Sequence, residues 1–96
     1  MLKQKLDDLT EDGWPSWLFT LGKSDTLGDL VYHLRNAVAH GRITFSSDSR
    51  VPSEVVMEAA DARSGTRKVY WRATIGIADL RTFCERYAQL LDDVIG

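Results

Sequence analysis

Hydrophobic and polar positions change their period along this chain, and the changes divide it into elements. Leu2, Leu6 and Leu9 recur at i, i+4 and i+7, the spacing of a short leading helix. Gly13 and Pro15 break it. The run SWLFTL (16–21) reads as a second short helix, with Ser16 as N-cap and a close near Gly22. GKSDT then supplies a turn, and Ser24, Asp25 or Thr26 can cap a third helix over roughly 26–40. In that helix Leu27, Leu30, Val31, Leu34 and Val38 form a continuous apolar stripe. Gly41 ends it, because glycine accepts a left-handed backbone at no steric cost.

Beyond Gly41 the period falls to two. ITF is a short strand, SSDSRVPS a polar loop, and EVVMEAA and KVYWRATI flank DARSGT as a hairpin. Val69, Trp71, Ala73 and Ile75 face one side of the second hairpin strand, while Lys68, Tyr70, Arg72 and Thr74 face the other. A last helix over about 78–95 buries Leu80, Phe83, Cys84, Tyr87, Leu90, Leu91 and Val94. The pattern predicts a mainly α, single domain over residues 1–96, with a small antiparallel β-insertion at about 43–75 before the last helix.

Ninety-six residues make one small domain with a modest core. With 44 % hydrophobic residues and three tryptophans, pairing with a second copy is a natural way to cover leftover apolar surface. The single Cys84 excludes an intramolecular disulfide framework and suits a reducing cytoplasm. Its place in an apolar stripe predicts a buried structural thiol. No apolar run is long enough for a membrane span and no signal-peptide pattern is present, so a cytoplasmic protein is expected.

A formal net charge of −2 argues against indiscriminate nucleic-acid binding. The charge is uneven, however: residues 63–86 hold six basic residues against two acidic ones. That distribution keeps RNA open as a partner.

The chemistry concentrates in YHLRNAVAHGRITF (32–45). At about 100° per residue, Asp29, His33, Asn36 and His40 share one side of the third helix, opposite the leucine stripe. A solvated polar face is the ordinary reading of such a side. Two histidines and an asparagine are nevertheless poor choices for pure solvation, where Lys and Glu are better helix formers. His40 also sits at the helix C-terminus, where the helix dipole favours an imidazolium. Arg35 lies about 140° from His40 on an ideal helix, so the two share a face only if the helix unwinds or two chains converge. Two histidines seven residues apart and one distant cysteine make no metal pattern, and no cofactor motif is present. Lys68, Tyr70 and Arg72 alternate base and aromatic on one strand face, which is either a solvated surface or a support for a phosphate backbone. Trp14 and Trp17 read as core or dimer interface.

LRNAVAHGRI near a helix end resembles the signature of the HEPN superfamily: an Arg, a following polar residue, and a His after four to six intervening residues. Arg35, Asn36 and His40 match it, with four residues between Arg and His. IGIADLRTFCERYAQLLDDVI (75–95) is similar to the closing helix of the HEPN-family nuclease branch. The resemblance covers most of residues 24–95. It implies a helical bundle that forms a homodimer, with two motif helices side by side over one composite cleft. It also implies metal-independent RNA cleavage: Arg35 neutralises the scissile phosphate, His40 transfers protons and Asn36 orients the phosphate. His33, Arg42, Lys68 and Arg72 are candidate substrate contacts. The implied setting is a prokaryotic toxin or phage-defence effector, with an antitoxin or other protein partner. The alternative is a non-catalytic HEPN module that dimerises and binds a protein or nucleotide. This chain departs from the family in its short first two helices and in Arg42, which stands where one toxin branch has Tyr.

Overall fold

The computed structural model describes residues 3–48, 51–63 and 67–95. In chain order the elements are α1 (Leu6–Glu11), β1 (Leu18–Leu21), α2 (Leu27–Ala39), β2 (Ile43–Asp48), β3 (Val51–Ala62), β4 (Val69–Gly76) and α3 (Ile77–Ile95). The four strands form one sheet in the order β1-β4-β3-β2, and every pair is antiparallel.

That sheet corrects the expected fold class. The protein is not a mainly α bundle carrying a β-insertion, because the four-stranded sheet is a full layer of the fold and recruits a strand from before α2. SWLFTL, read as a helix, is the strand β1, with Leu18 opposite Thr74 and Phe19 opposite Ala73. A run this short gains little from forming an isolated helix, and pairing with the free edge of β4 satisfies its backbone polar groups instead. Trp17 is buried, Leu18 is exposed and Phe19 is half-buried, the alternation of a strand. The expected polar loop also shrinks, since β2 runs on to Asp48 and β3 starts at Val51. The hairpin of β3 and β4 has the expected antiparallel pairing, and Trp71 is buried as the alternation requires.

Met57, Ala59 and Asp61 of β3 and Trp71, Ala73 and Ile75 of β4 all point to one face of the sheet and are buried. Leu27, Leu30 and Ala37 of α2 and Phe83 of α3 complete the core on that face, with Leu9 and Trp17 closing one side. Trp14 and Trp17 each meet Phe83 edge to face, with ring centroids 5.6 and 5.3 Å apart. Their place is the core. The opposite face of the sheet holds Leu18, Thr44, Glu58, Arg72 and Thr74, and no described helix covers it.

α2 is delimited by its own sequence. Thr26 caps its start, Oγ1 accepting the Asp29 N–H at 3.2 Å. Gly41, at φ 66°, closes its end, with Gly41 N–H on Val38 O and Arg42 N–H on Ala37 O, the paired bonds of a Schellman motif. α3 runs straight on from β4 and turns Leu80, Phe83, Tyr87 and Leu90 inward. Cys84 lies beside this arc and is exposed, so the expectation of a buried thiol is corrected. Leu91 is likewise exposed, and the side chain of Val94 lies outside the described residues.

Two glycines separate backbone strain from crowding. Gly22 (φ 69°) lies where an added Cβ would meet Tyr70 O at 2.8 Å and Trp71 Cα at 3.4 Å, whereas nothing lies within 4 Å of one at Gly41 (φ 66°). Gly41→Ala is expected to cost about 1–2 kcal/mol, the left-handed backbone penalty alone. Gly22→Ala should cost distinctly more, because β1 and β4 must also part; equal shifts in urea midpoint would contradict this.

Candidate functional site

α2 does not bury its leucine stripe squarely. Its buried residues are Leu27, Leu30, His33 and Ala37, an arc turned roughly 60° from the stripe toward the polar side. The cause is on β3. Asp61 occupies the inward register after Met57 and Ala59, and only 2 % of its surface is exposed. A carboxylate in that position needs donors, and α2 supplies them.

Three donors converge on a single oxygen. His33 Nδ1–H donates to Asp61 Oδ2 at 2.8 Å, Asn36 Nδ2–H at 3.1 Å and the Tyr70 hydroxyl at 3.5 Å. A carboxylate oxygen only accepts, so this bond needs a proton on Nδ1, and Nε2 lies 3.6 Å from Asp29 Oδ2. The imidazole stacks on Trp71, with centroids 4.7 Å apart and planes inclined by 16°, and Trp71 Nε1–H donates to Ser24 Oγ at 3.0 Å. Tyr70 reaches this face because β3 and β4 slip register between Asp61 and Ala62, a bulge of the kind that re-aims a side chain.

The electrostatics follow from these contacts. Burial alone pushes the Asp61 pKa up, but hydrogen bonds from His33 and Asn36, the charge of a protonated His33 and the Ala62 N–H outweigh it. Its carboxyl therefore lies below the ordinary 3.8. Tyr70 moves the other way, its pKa raised by burial first and by the neighbouring Asp61 carboxylate second. The Arg63 guanidinium lies over the Tyr70 ring, 5.5 Å from its centroid.

The residues singled out from the sequence separate into three places. His33 and Asn36 belong to the buried cluster around Asp61. Arg35 and His40 are exposed, and among the described residues no hydrogen bond or ion pair engages either side chain. Arg35 borders an apolar groove of about 430 Å³ between α2 and α3, lined also by Val31, Leu34, Val38, Phe83 and Tyr87. His40 is the C-cap of α2, at φ −102°. Arg42 is half-buried and ties α2 to the sheet through its backbone, its carbonyl accepting the Ala60 N–H. Lys68 is exposed just before β4. Arg72 lies on the far face of the sheet, with Nε 3.2 Å from Glu58 Oε1, away from α2.

Asp61 and Tyr70 are the polar members that sequence reasoning did not assign to the site. The signal for Asp61 was an acid two positions after Ala59 in the inward register; as a good turn former it was read as the start of the hairpin turn. A larger cavity of about 630 Å³, lined by Leu6, Trp14, Trp17, Phe19 and Phe83 among others, contains none of the motif residues. Among the described residues no group of three His, Cys, Asp or Glu could hold a metal ion, and no helix is long and apolar enough to cross a membrane.

A family model described as HEPN pEK499 p136 matches residues 2–95. No curated protein and no solved structure compared with the chain gives a match.

Asp61→Ala is expected to unpair the buried donors of His33 and Asn36, at about 1–3 kcal/mol for each. The ionised carboxylate stabilises the fold fully above pH 3.8, its ordinary value, because the folded protein holds the proton more weakly than the unfolded chain. That contribution declines below 3.8 and is gone once pH falls through the lower folded value. Urea titrations should therefore show an acid limb that Asp61→Asn flattens, and an unchanged limb would remove Asp61 from this role.

Proposed function

This chain belongs to the HEPN pEK499 p136 family, and from that premise we propose that it is a metal-independent endoribonuclease working as a homodimer. One observation carries the reading. Arg35 and His40, the residue types that phosphodiester cleavage needs, stand exposed and unengaged among the described residues on a helix whose flank is an apolar groove. Both side chains are open to solvent, where a phosphate can reach them.

In this reading the 2′-oxygen of a ribose attacks the adjacent phosphorus and the bond to the 5′-oxygen breaks. A proton leaves the 2′-hydroxyl and another reaches the departing 5′-oxygen, and His40 at the helix end is the group that moves them. Arg35 neutralises the charge that builds on the phosphate oxygens. The products are a 2′,3′-cyclic phosphate and a 5′-hydroxyl. Arg35 and His40 leave one ideal helix in directions about 140° apart, so a phosphate touching both needs two copies. The groove of Val31, Leu34 and Val38 beside Arg35 is the surface on which a second motif helix would pack. Asn36 has one N–H on Asp61 and contributes its remaining amide atoms. A cytoplasmic toxin or phage-defence effector, held in check by an antitoxin or other protein partner, is the setting that suits such an activity.

A second reading, a non-catalytic HEPN module that dimerises and binds a protein or nucleotide, is favoured by one fact. Asn36 spends its amide on a buried carboxylate, as an anchor of the fold would.

RNA cleavage by the purified protein in EDTA separates the two readings. Arg35→Ala and His40→Ala should each abolish cleavage while changing stability by no more than about 0.5 kcal/mol, since both side chains are exposed. Cleavage that requires magnesium, or that survives His40→Ala, would overturn the nuclease reading. Light scattering at tens of micromolar should give a dimer that Val38→Asp splits; a monomer of wild-type protein would remove the composite site.

A further inference from the structure

β1 and β2 are the two edges of the sheet, and the sequence treats them differently. β1 is four residues long, breaks register between Phe19 and Leu21, and runs into Gly22 and Lys23. A short, irregular strand beside a lysine is a blunted edge. β2 has none of these guards from Ile43 to Ser47: ITFSS carries no charge, no proline and no break in its pairing with β3. The Arg42 carbonyl accepts the Ala60 N–H, so alternation turns the backbone groups of Thr44 and Ser46 toward β3 as well. Those of Ile43, Phe45 and Ser47 therefore point outward, where no strand pairs with them among the described residues. Phe45 lies beside Met57 on the helix side of the sheet. α2 and α3 pack over β3 and β4, and Phe45 is left 61 % exposed.

We propose that β2 pairs with the β2 of a second copy, antiparallel about a two-fold axis at Phe45, joining two sheets into one. The strand is complementary to itself in that register. Ile43 faces Ser47 of the second copy and Phe45 faces Phe45, and these are the positions whose N–H and C=O groups point outward. The intervening positions come closest across such a ladder, and there Thr44 meets Ser46, a hydroxyl pair of the kind that hydrogen-bonds. Arg42 stands opposite residue 48, an aspartate, so the sequence puts unlike charges at both ends. The Phe45 pair covers the ring that the helices leave bare. Any extended strand could satisfy the outward backbone groups, but the matched charges and hydroxyls select a second copy. This contact is separate from the flank of α2 and goes beyond the composite site, linking α2-paired dimers edge to edge. One strand pair buries less than about 1,200 Å², the lower bound of standard interfaces, so association is weak and emerges above tens of micromolar.

Sedimentation of Val38→Asp, which removes the α2 contact, isolates the edge. Dimers should accumulate from tens to hundreds of micromolar. Phe45→Lys should weaken this association about ten-fold, because it sets two lysines opposite each other. Leu18→Lys, a similarly exposed position on β1, should leave it unchanged. Register is read by disulfide trapping in a Cys84→Ser background, since Cys84 is exposed. Thr44→Cys mixed with Ser46→Cys should oxidise to a heterodimer, the paired Cα atoms lying about 4.5 Å apart. Either variant alone should not, because like positions lie roughly 7–8 Å apart, beyond disulfide reach. RNA cleavage enters none of these readouts, so the nuclease reading stands or falls apart from them. A monomer throughout the series, undiminished association in Phe45→Lys, an equal loss in Leu18→Lys, or homodimers as abundant as heterodimers would each overturn the edge pairing.

Discussion

The buried carboxylate of Asp61 is the constraint around which the rest of this protein is arranged. An ionised acid facing the core is tolerated only where donors surround it, and here they come from two directions, His33 and Asn36 on α2 and Tyr70 on β4. These bonds fix the helix against the sheet in rotation as well as position. Hydrophobicity alone would turn the leucine stripe inward. With His33 and Asn36 required at Asp61, the helix rolls roughly 60° and carries Val31, Leu34 and Val38 toward its flank. The apolar groove beside Arg35 and the exposure of Val38 are consequences of the same roll.

The cluster is held from below as firmly as from the side. His33 lies flat on Trp71, and Trp71 is locked by its own bond to Ser24, in the loop that delivers the chain from β1 to α2. Gly22 lets that loop lie against the β4 backbone, where an added Cβ would be 2.8 Å from Tyr70 O. The strand misread as a helix thus has a definite task. β1 closes the edge of β4 and sets the height of the loop whose serine holds the tryptophan under His33.

How much of this could be read from the sequence depended on whether the governing interaction was local. α2, with its Thr26 cap and Gly41 stop, the β3–β4 hairpin and α3 are set by periodicity and end signals within a few residues, and they lie within one or two residues of where the pattern put them, except that β3 starts three residues earlier, at Val51. β1 is set by a partner more than fifty residues away, and nothing within SWLFTL favours that pairing over one turn of helix. The roll of α2 was hidden for the same reason, since its cause is Asp61, 28 residues beyond His33. Cys84 was misplaced because α3 packs a narrower arc than its apolar residues describe, leaving Cys84 and Leu91 in solvent. The pair Arg35 and His40 was conspicuous as a motif, yet which way each points relative to the core depended on the roll.

That roll also separates the polar residues within two turns of helix. His33 and Asn36 are drawn down to the carboxylate, while Arg35 and His40 are left in solvent. The chain's overall acidity is less of an obstacle to an anionic ligand than its net charge of −2 suggests. α1, which carries Asp7, Asp8 and Glu11, docks at the start of α2 through the bridge between Lys5 and Thr26. The intervening helix puts His40 about 20 Å from that end, more than two Debye lengths at physiological salt. At that distance the acidic helix is largely screened, and what a ligand near His40 meets is the local population of charges. Arg35 and Arg42 lie within five residues of His40 in the chain, while Asp61 is buried beneath the three donors that orient the helix.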